Sequence, residues 1–191
     1  MTDGSSHRPL RADAQRNRDK ILAAAVRVYT EDGLDARMEH IARAAGVGSA
    51  TLYRNFPTRE ALIEAVYRNE LAQLCDAVPG LLAAEPPYEA LRAWTRLFLD
   101  YVAAKAGMAD ALRALAVAGN ISHGRSRDMI RAALADLMDA CTAVGAIRTD
   151  ISPADLGAAL EGIALTSAGP DRRARAERLL DLTLDGLTVR S

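Results

Sequence analysis

Aromatic side chains are scarce in this sequence. Phe, Trp and Tyr make up 4% of 191 residues, yet half of all residues are hydrophobic. A core of useful size is available, but it must be assembled mainly from Ala, Leu, Val and Ile. Ala and Leu lose little on entering a helix, so this composition predicts an all-α protein. Cysteine is scarcer still. Cys75 and Cys141 stand far apart within helical patterns, with no CxxC pair or His/Cys cluster. That spacing argues against structural zinc and for two core thiols rather than a redox pair. No run of 18 apolar residues occurs, and the N-terminus lacks an apolar signal region. Neither a membrane span nor a secretory leader is expected, and the expected compartment is the cytoplasm. GxSxG, P-loop and GxGxxG patterns are missing as well. His123 falls in "GNISHGRS", read as a loop, with no partner acid or thiol at a recognisable spacing. The expectation is no enzyme, no cofactor and no metal.

Charge of one sign is also missing overall: the formal net charge is -1. The balance is uneven along the chain. Up to residue 60, ten Arg plus Lys face eight Asp plus Glu, about +2, which leaves about -3 beyond. The excess is densest in "HRPLRADAQRNRDK". A basic stretch of this kind is a mild nucleic-acid signal and equally a solvated tail.

What is present is helical periodicity. Residues 1–13 show none and read as a disordered basic arm. From Ala14 to Asp32, Ile21, Leu22, Ala25, Val28 and Tyr29 recur on one face, and Gly33 closes the helix. Met38, Ile41, Ala42 and Ala45 mark a second helix, stopped by Gly46. A short third helix spans Ser49 to Phe56, and Pro57 ends it. Thr58 caps a long fourth helix reaching Leu82. Five further segments bring the total to about nine helices. They run from Leu91 to Ala106, Met108 to Ala118, around Ile130 to Val144, Pro153 to Ala168, and Arg172 to Thr188.

Two short helices around a Gly-containing turn form a helix-turn-helix. Its second helix, "SATLYRNF", is too polar to serve only a core. Gly48, Ser49 and Ala50 leave its first turn bare for close approach to DNA, where free N–H groups favour phosphate. Leu52 and Phe56 face the core, while Tyr53 and Arg54 reach outward to phosphates. A plain two-helix corner has the same geometry, so the spacing alone leaves both readings open.

The run "ILAAAVRVYTEDGLDARMEHIARAAGVGSATLYRNFPTREALIEAV" resembles the N-terminal domain of the TetR family of bacterial transcriptional regulators. The matching pattern is Gly33, Ile41, Ala42, Ala45, Gly46, Val47, Thr51, Leu52, Tyr53, Phe56, Arg59 and Glu60. "GVG" and "FPTREALIEAV" resemble an actinobacterial-looking branch, and the "GLDARMEHIA" joint is one residue shorter than the founding pattern. The resemblance implies a DNA-binding domain over 14–72 and a ligand-binding and dimerisation domain over 73–191. It implies DNA-backbone contacts at Thr51, Tyr53 and Arg59, with Asn55 on the same helix. Arg16 and Arg18 match the basic approach to helix 1, an arm able to lie in a minor groove. Many members carry Lys and Gly where Ser49 and Ala50 stand, so readout by long side chains is thin here and Arg37 is a candidate to compensate.

For the C-terminal half the resemblance implies a pocket for a small effector. The candidate lining is Leu91, Trp94, Phe98, Tyr101, Leu112, Ile130, Leu134, Leu137 and Cys141, a set that also reads as ordinary core. Its small polar capacity predicts a neutral, largely apolar ligand, acting by favouring a conformation in which the long fourth helix has tilted. On the last helix, Leu180, Leu182, Leu184 and Leu187 spread with Leu179 and Val189 over about 220° of arc, where one core needs only about 100°. The excess predicts a homodimer contact, completed by Leu156, Ala159, Leu160 and Ile163, with Gly157 and Gly162 allowing close approach. Two functions stay open: a homodimeric repressor released from double-stranded operator DNA by an effector, and a ligand-independent DNA- or protein-binding module.

Overall fold

The computed structural model describes residues 7–106, 108–121, 123–166 and 171–189, apart from the side chains of residues 7–12 and His123. Nine helices run through the described residues: α1 (His7–Glu31), α2 (Met38–Ala44), α3 (Ser49–Asn55), α4 (Arg59–Ala84), α5 (Pro87–Ala106), α6 (Ala109–Val117), α7 (His123–Ala143), α8 (Pro153–Thr166) and α9 (Arg172–Asp185). No strand lies among them; Ile147 and Thr188 meet in an isolated antiparallel bridge.

Two boundaries differ from the sequence reading. Helix α1 begins at His7, so residues 7–13 are helical and not a disordered arm; residues 1–6 lie outside the described residues. Pro9 falls in its first turn, where no amide donor is needed. Gln15 donates to Asp19 at 2.8 Å and Arg16 pairs with Asp13, contacts one turn apart that support an exposed helix. Helix α7 likewise begins at His123, inside the stretch read as a loop. Gly119, at φ 77°, already ends α6, and Gly124 is tolerated within the next helix. Helix α4 runs through the exposed Pro79 and loses one helix donor there. Thr58 caps its start as expected, its Oγ1 accepting from the Ala61 N–H at 3.1 Å.

The chain forms two compact units. The first comprises 1–69 and 104–121, so α6 groups with the N-terminal helices rather than with the C-terminal region to which the sequence reading assigned it. Its interior is built from Ile21, Leu22 and Tyr29 of α1, Ile41 of α2, Leu52 of α3, Phe56, and Leu62 and Val66 of α4, all buried. Arg68 donates to the Asn120 carbonyl at 2.9 Å, and the Lys105 ammonium lies 6.0 Å from the Tyr67 ring centroid. Burial pushes the Tyr29 phenol up to about 12, since the charged form would lose its water.

The second unit comprises 70–103 and 122–191. Trp94 is fully buried and its indole N–H donates to the Leu74 carbonyl at 2.8 Å, fastening α5 to α4. Trp94 and Phe98 stack at 6.0 Å between centroids. Arg92 donates to Asp181 at 2.7 Å and Arg173 pairs with Asp100, joining α5 to α9. Burial pushes the Cys141 thiol up to about 11, consistent with a core thiol. The Trp94 contacts generate a prediction. Trp94→Ala should cost about 3–5 kcal/mol of folding stability, measured by urea unfolding, because it opens a cavity and removes the bond to the Leu74 carbonyl. A cost below about 1 kcal/mol would show that the site collapses freely.

Candidate nucleic-acid interface

The first unit presents one seven-residue helix, α3, with two unlike sides. Leu52 is completely buried, and Phe56, just past the helix, is 2% exposed. Ser49, Ala50, Tyr53 and Arg54 are exposed. The helix is placed by the turn before it. Gly46 takes φ 66°, a conformation that costs a side-chain residue, and the Val47 N–H donates to the Ala42 carbonyl at 3.0 Å. Gly48 then occupies the N-cap at φ -71° and ψ 149°, and its carbonyl accepts from Thr51 at 2.9 Å. Nothing lies within 4 Å of where a Cβ on Gly48 would sit. The fold itself therefore gives no reason for a bare residue at this position.

The candidate contact residues divide into two groups. Arg37, Gly48, Ser49, Ala50, Tyr53 and Arg54 are exposed, with Thr51 half-buried beside them. Arg37 precedes α2 as its N-cap residue, its side chain making no cap. The others are engaged by the protein itself. Arg59 is half-buried and its guanidinium donates to the Leu34 carbonyl, tying α4 to the turn after α1. The Asn55 amide donates to the Thr51 carbonyl at 2.8 Å. Arg18 lies on α1 with its guanidinium 4.6 Å from the centroid of the Phe56 ring. Arg16, also on α1, pairs with Asp13. Neither arginine belongs to a flexible arm, because the helix begins before both of them. A groove of about 420 Å³ behind α3 is walled by Arg18 and Arg68 but also by Asp19 and Glu64, so its charges offset.

One residue of this surface escaped the sequence reading. Glu39, in the first turn of α2, accepts a hydrogen bond from the Tyr53 hydroxyl at 2.9 Å. Its own backbone N–H, then Tyr53, hold the Glu39 carboxyl below the usual carboxylate range. The same bond raises the Tyr53 phenol. No local sequence signal marks it: the bond joins residues fourteen apart and exists only once α2 and α3 are packed together.

The pocket and dimer candidates belong elsewhere. Leu91, Trp94, Leu137 and Cys141 have no exposed surface, and Tyr101 is buried. Leu112 is buried on α6, which belongs to the first unit. Phe98, Ile130 and Leu134 do line a recess of about 310 Å³ with Pro153, Ala154, Gly157 and Ala158. Arg127, Arg131 and Glu161 stand on the same recess, a charged complement that the predicted apolar pocket lacked. Leu156, Leu160, Ile163, Leu180, Leu184 and Leu187 are buried inside the single chain, with Ala159 half-buried. The wide apolar arc on α9 is thus partly spent on its own core. Left exposed are Leu182 on α9 at 70%, Val189 beyond its end at 56%, and Leu165 on α8 at 82%.

Comparison with known proteins agrees with this architecture. Residues 21–66 match the family model of bacterial regulatory proteins of the tetR family. Residues 86–189 match the model for the C-terminal domain of SbtR-like transcriptional regulators. The crystal structure of the TetR transcriptional regulator SCO0520 from Streptomyces coelicolor is similar at 68% identity and a TM-score of 0.85, over 91% of this chain and 99% of that one. A TetR transcription regulatory protein from Mycobacterium vanbaalenii is 36% identical with a TM-score of 0.76, over 95% and 100%. An uncharacterized HTH-type transcriptional regulator, YvdT of Bacillus subtilis, is 36% identical over 80 residues, covering 41% of this chain and 39% of its own length. No described helix is long and apolar enough to cross a membrane. The chain belongs to the TetR family of helix-turn-helix, DNA-binding bacterial transcriptional regulators.

Proposed function

We propose that the protein is a homodimeric repressor that reads operator DNA through α3 and leaves it when a small molecule binds the second unit. The observation that supports α3 as the reading element is its bare first turn. Gly48, Ser49 and Ala50 are exposed, and the space around Gly48 is unused by the fold. Ser49 and Ala50 face bases, with the exposed Arg37 the long side chain that adds to their readout; Tyr53, Thr51 and Arg54 meet phosphates. Arg59 acts through the Leu34 carbonyl as much as through charge, so its loss would weaken folding as well as binding. Gly48→Ser separates folding from function. Serine is the better N-cap by a few tenths of a kcal/mol, so the melting temperature should hold or rise, while binding to the promoter DNA adjoining its own coding sequence should weaken. Unchanged binding in a gel-shift titration would remove α3's first turn from the interface.

Dimerisation through the outer faces of α8 and α9 rests on Leu165, Leu182 and Val189, apolar and exposed in the single chain, beside the small residues Ala158 and Gly162. A two-fold dimer places two recognition helices on successive major grooves about 34 Å apart. Leu165→Glu with Leu182→Glu should convert a dimer to a monomer in sedimentation velocity without loss of helicity. A wild-type monomer at micromolar concentration would reject the interface.

The effector reading moves from the packed aromatic stripe to the recess beside Phe98, Ile130 and Leu134. Arg127 and Arg131 favour an amphiphile with an acid group, its apolar body against Phe98, in place of a neutral ligand. Such a ligand shifts the protein off DNA only by binding the DNA-free state better. In a titration of the protein–DNA complex, aromatic and fatty acids should release it, and Arg127→Ala with Arg131→Ala should abolish that response. Release by neutral compounds alone would contradict the site. The second reading, a regulator without a ligand, is favoured by the complete burial of Leu91, Trp94, Leu137 and Cys141. It predicts no release by any compound.

A further inference from the structure

The Tyr53 hydroxyl has one proton to donate, and in this structure it goes to Glu39. The 2.9 Å bond crosses from α3 to α2 and leaves the phenol with only lone pairs to offer an approaching phosphate. Phosphate oxygens are acceptors as well. A phosphate at Tyr53 must therefore either displace Glu39 from the hydroxyl or meet an oxygen that cannot bond to it. Displacement leaves the Glu39 carboxylate ionised beside a second anion.

The surroundings show how the carboxylate is held. Its own backbone N–H and the Tyr53 hydroxyl stabilise its charge, and Arg37 contributes favourable charge from one side. Arg59 contributes favourable charge to the Tyr53 phenolate form and not to Glu39. Glu39 is thus an anion held by the donor, Tyr53, and the cation, Arg37, that are assigned here to DNA. Both side chains are accessible: Tyr53 is 41% exposed and Glu39 is exposed.

We propose that Glu39 is an internal phosphate mimic that competes with DNA for Tyr53 and lowers affinity for duplexes of every sequence. The proposal rests on the assignment of Tyr53 to a DNA phosphate. Its physical content is a coupling between two residues and not a general effect of charge. With Glu39 present, Tyr53 must change partners on binding DNA. With Glu39 removed, its proton is free for phosphate from the start. The competition acts on the backbone contact, so it carries no sequence information. It keeps non-specific binding weak, which matters because competing genomic sites outnumber operators by many orders of magnitude.

The test is a fluorescence-anisotropy titration of full-length protein with a random-sequence duplex and with its own promoter fragment. Four proteins are compared: wild type, Glu39→Ala, which removes the acceptor altogether, Tyr53→Phe and the double variant. Circular dichroism and thermal melting establish that each is folded. Glu39→Ala should tighten binding to both duplexes by roughly two- to fivefold at low salt, the size of an exposed charge interaction. The gain should shrink as salt screens the carboxylate. In the Tyr53→Phe background most of the gain should vanish, since no hydroxyl remains to be released. Unchanged or weaker binding by folded Glu39→Ala would overturn the proposal and make Glu39 a support for Tyr53. If Glu39→Ala proves unfolded, Glu39→Met, which also lacks the oxygen acceptor, is read in the same way. Equal gains in both backgrounds would also overturn it, leaving bulk charge as the cause. Tyr53→Phe alone with wild-type affinity would remove Tyr53 from the phosphate contacts, and wild type without affinity for either duplex would remove the DNA assignment beneath it.

Discussion

Leu52 and Phe56 hold the seven-residue α3 to the first unit, and the DNA-facing surface depends on that anchor. A helix this short has too few backbone hydrogen bonds to stand alone in water. It persists because one side is driven inward: Leu52 is fully buried and Phe56 nearly so, with the Arg18 guanidinium over its ring. Fixing that side fixes the other. Once Leu52 points into the core, Ala50, Tyr53 and Arg54 have to face water, while Ser49 is exposed by its place at the helix start. The left-handed turn at Gly46 sets where α3 begins, and Thr58, capping α4, sets where the next helix starts. The reading surface is therefore a by-product of packing at two residues.

The same logic decides which candidate residues were legible in the sequence. The α2–turn–α3 segment was readable almost to the residue, because Gly46, Pro57 and the Leu52/Phe56 spacing are local signals. The start of α1 was not, since residues 7–13 carry no apolar period and their helix is supported by exposed polar pairs such as Arg16 with Asp13. The functions of Arg18, Asn55 and Arg59 were obscured for another reason. A polar side chain near an interface looks free in sequence, yet each of these three finds a partner within the first unit: the Phe56 ring, the Thr51 carbonyl and the Leu34 carbonyl. Glu39 shows the converse, an acid whose relevance appears only when α2 and α3 are brought together.

In the second unit, periodicity identified buried positions well and assigned their burial poorly. Leu180, Leu184 and Leu187 are apolar because they belong to the chain's own core, and Leu182 is the neighbour left outside. An arc of apolar residues records how much surface is to be covered, not by what. Trp94 illustrates the same limit. Its indole N–H donates to the Leu74 carbonyl and is not offered to a ligand. The recess beside Phe98 was invisible as such because Arg127, Arg131 and Glu161 fall on it from α7 and α8, and no single helix pattern unites them.

The claim that one face of α3 is the reading surface is tested most directly by amide hydrogen exchange with and without duplex promoter DNA. Bound DNA should slow exchange at the first turn of α3 and around Arg37, with the buried Leu52 side little altered. Protection confined to the second unit, or none anywhere, would contradict the account.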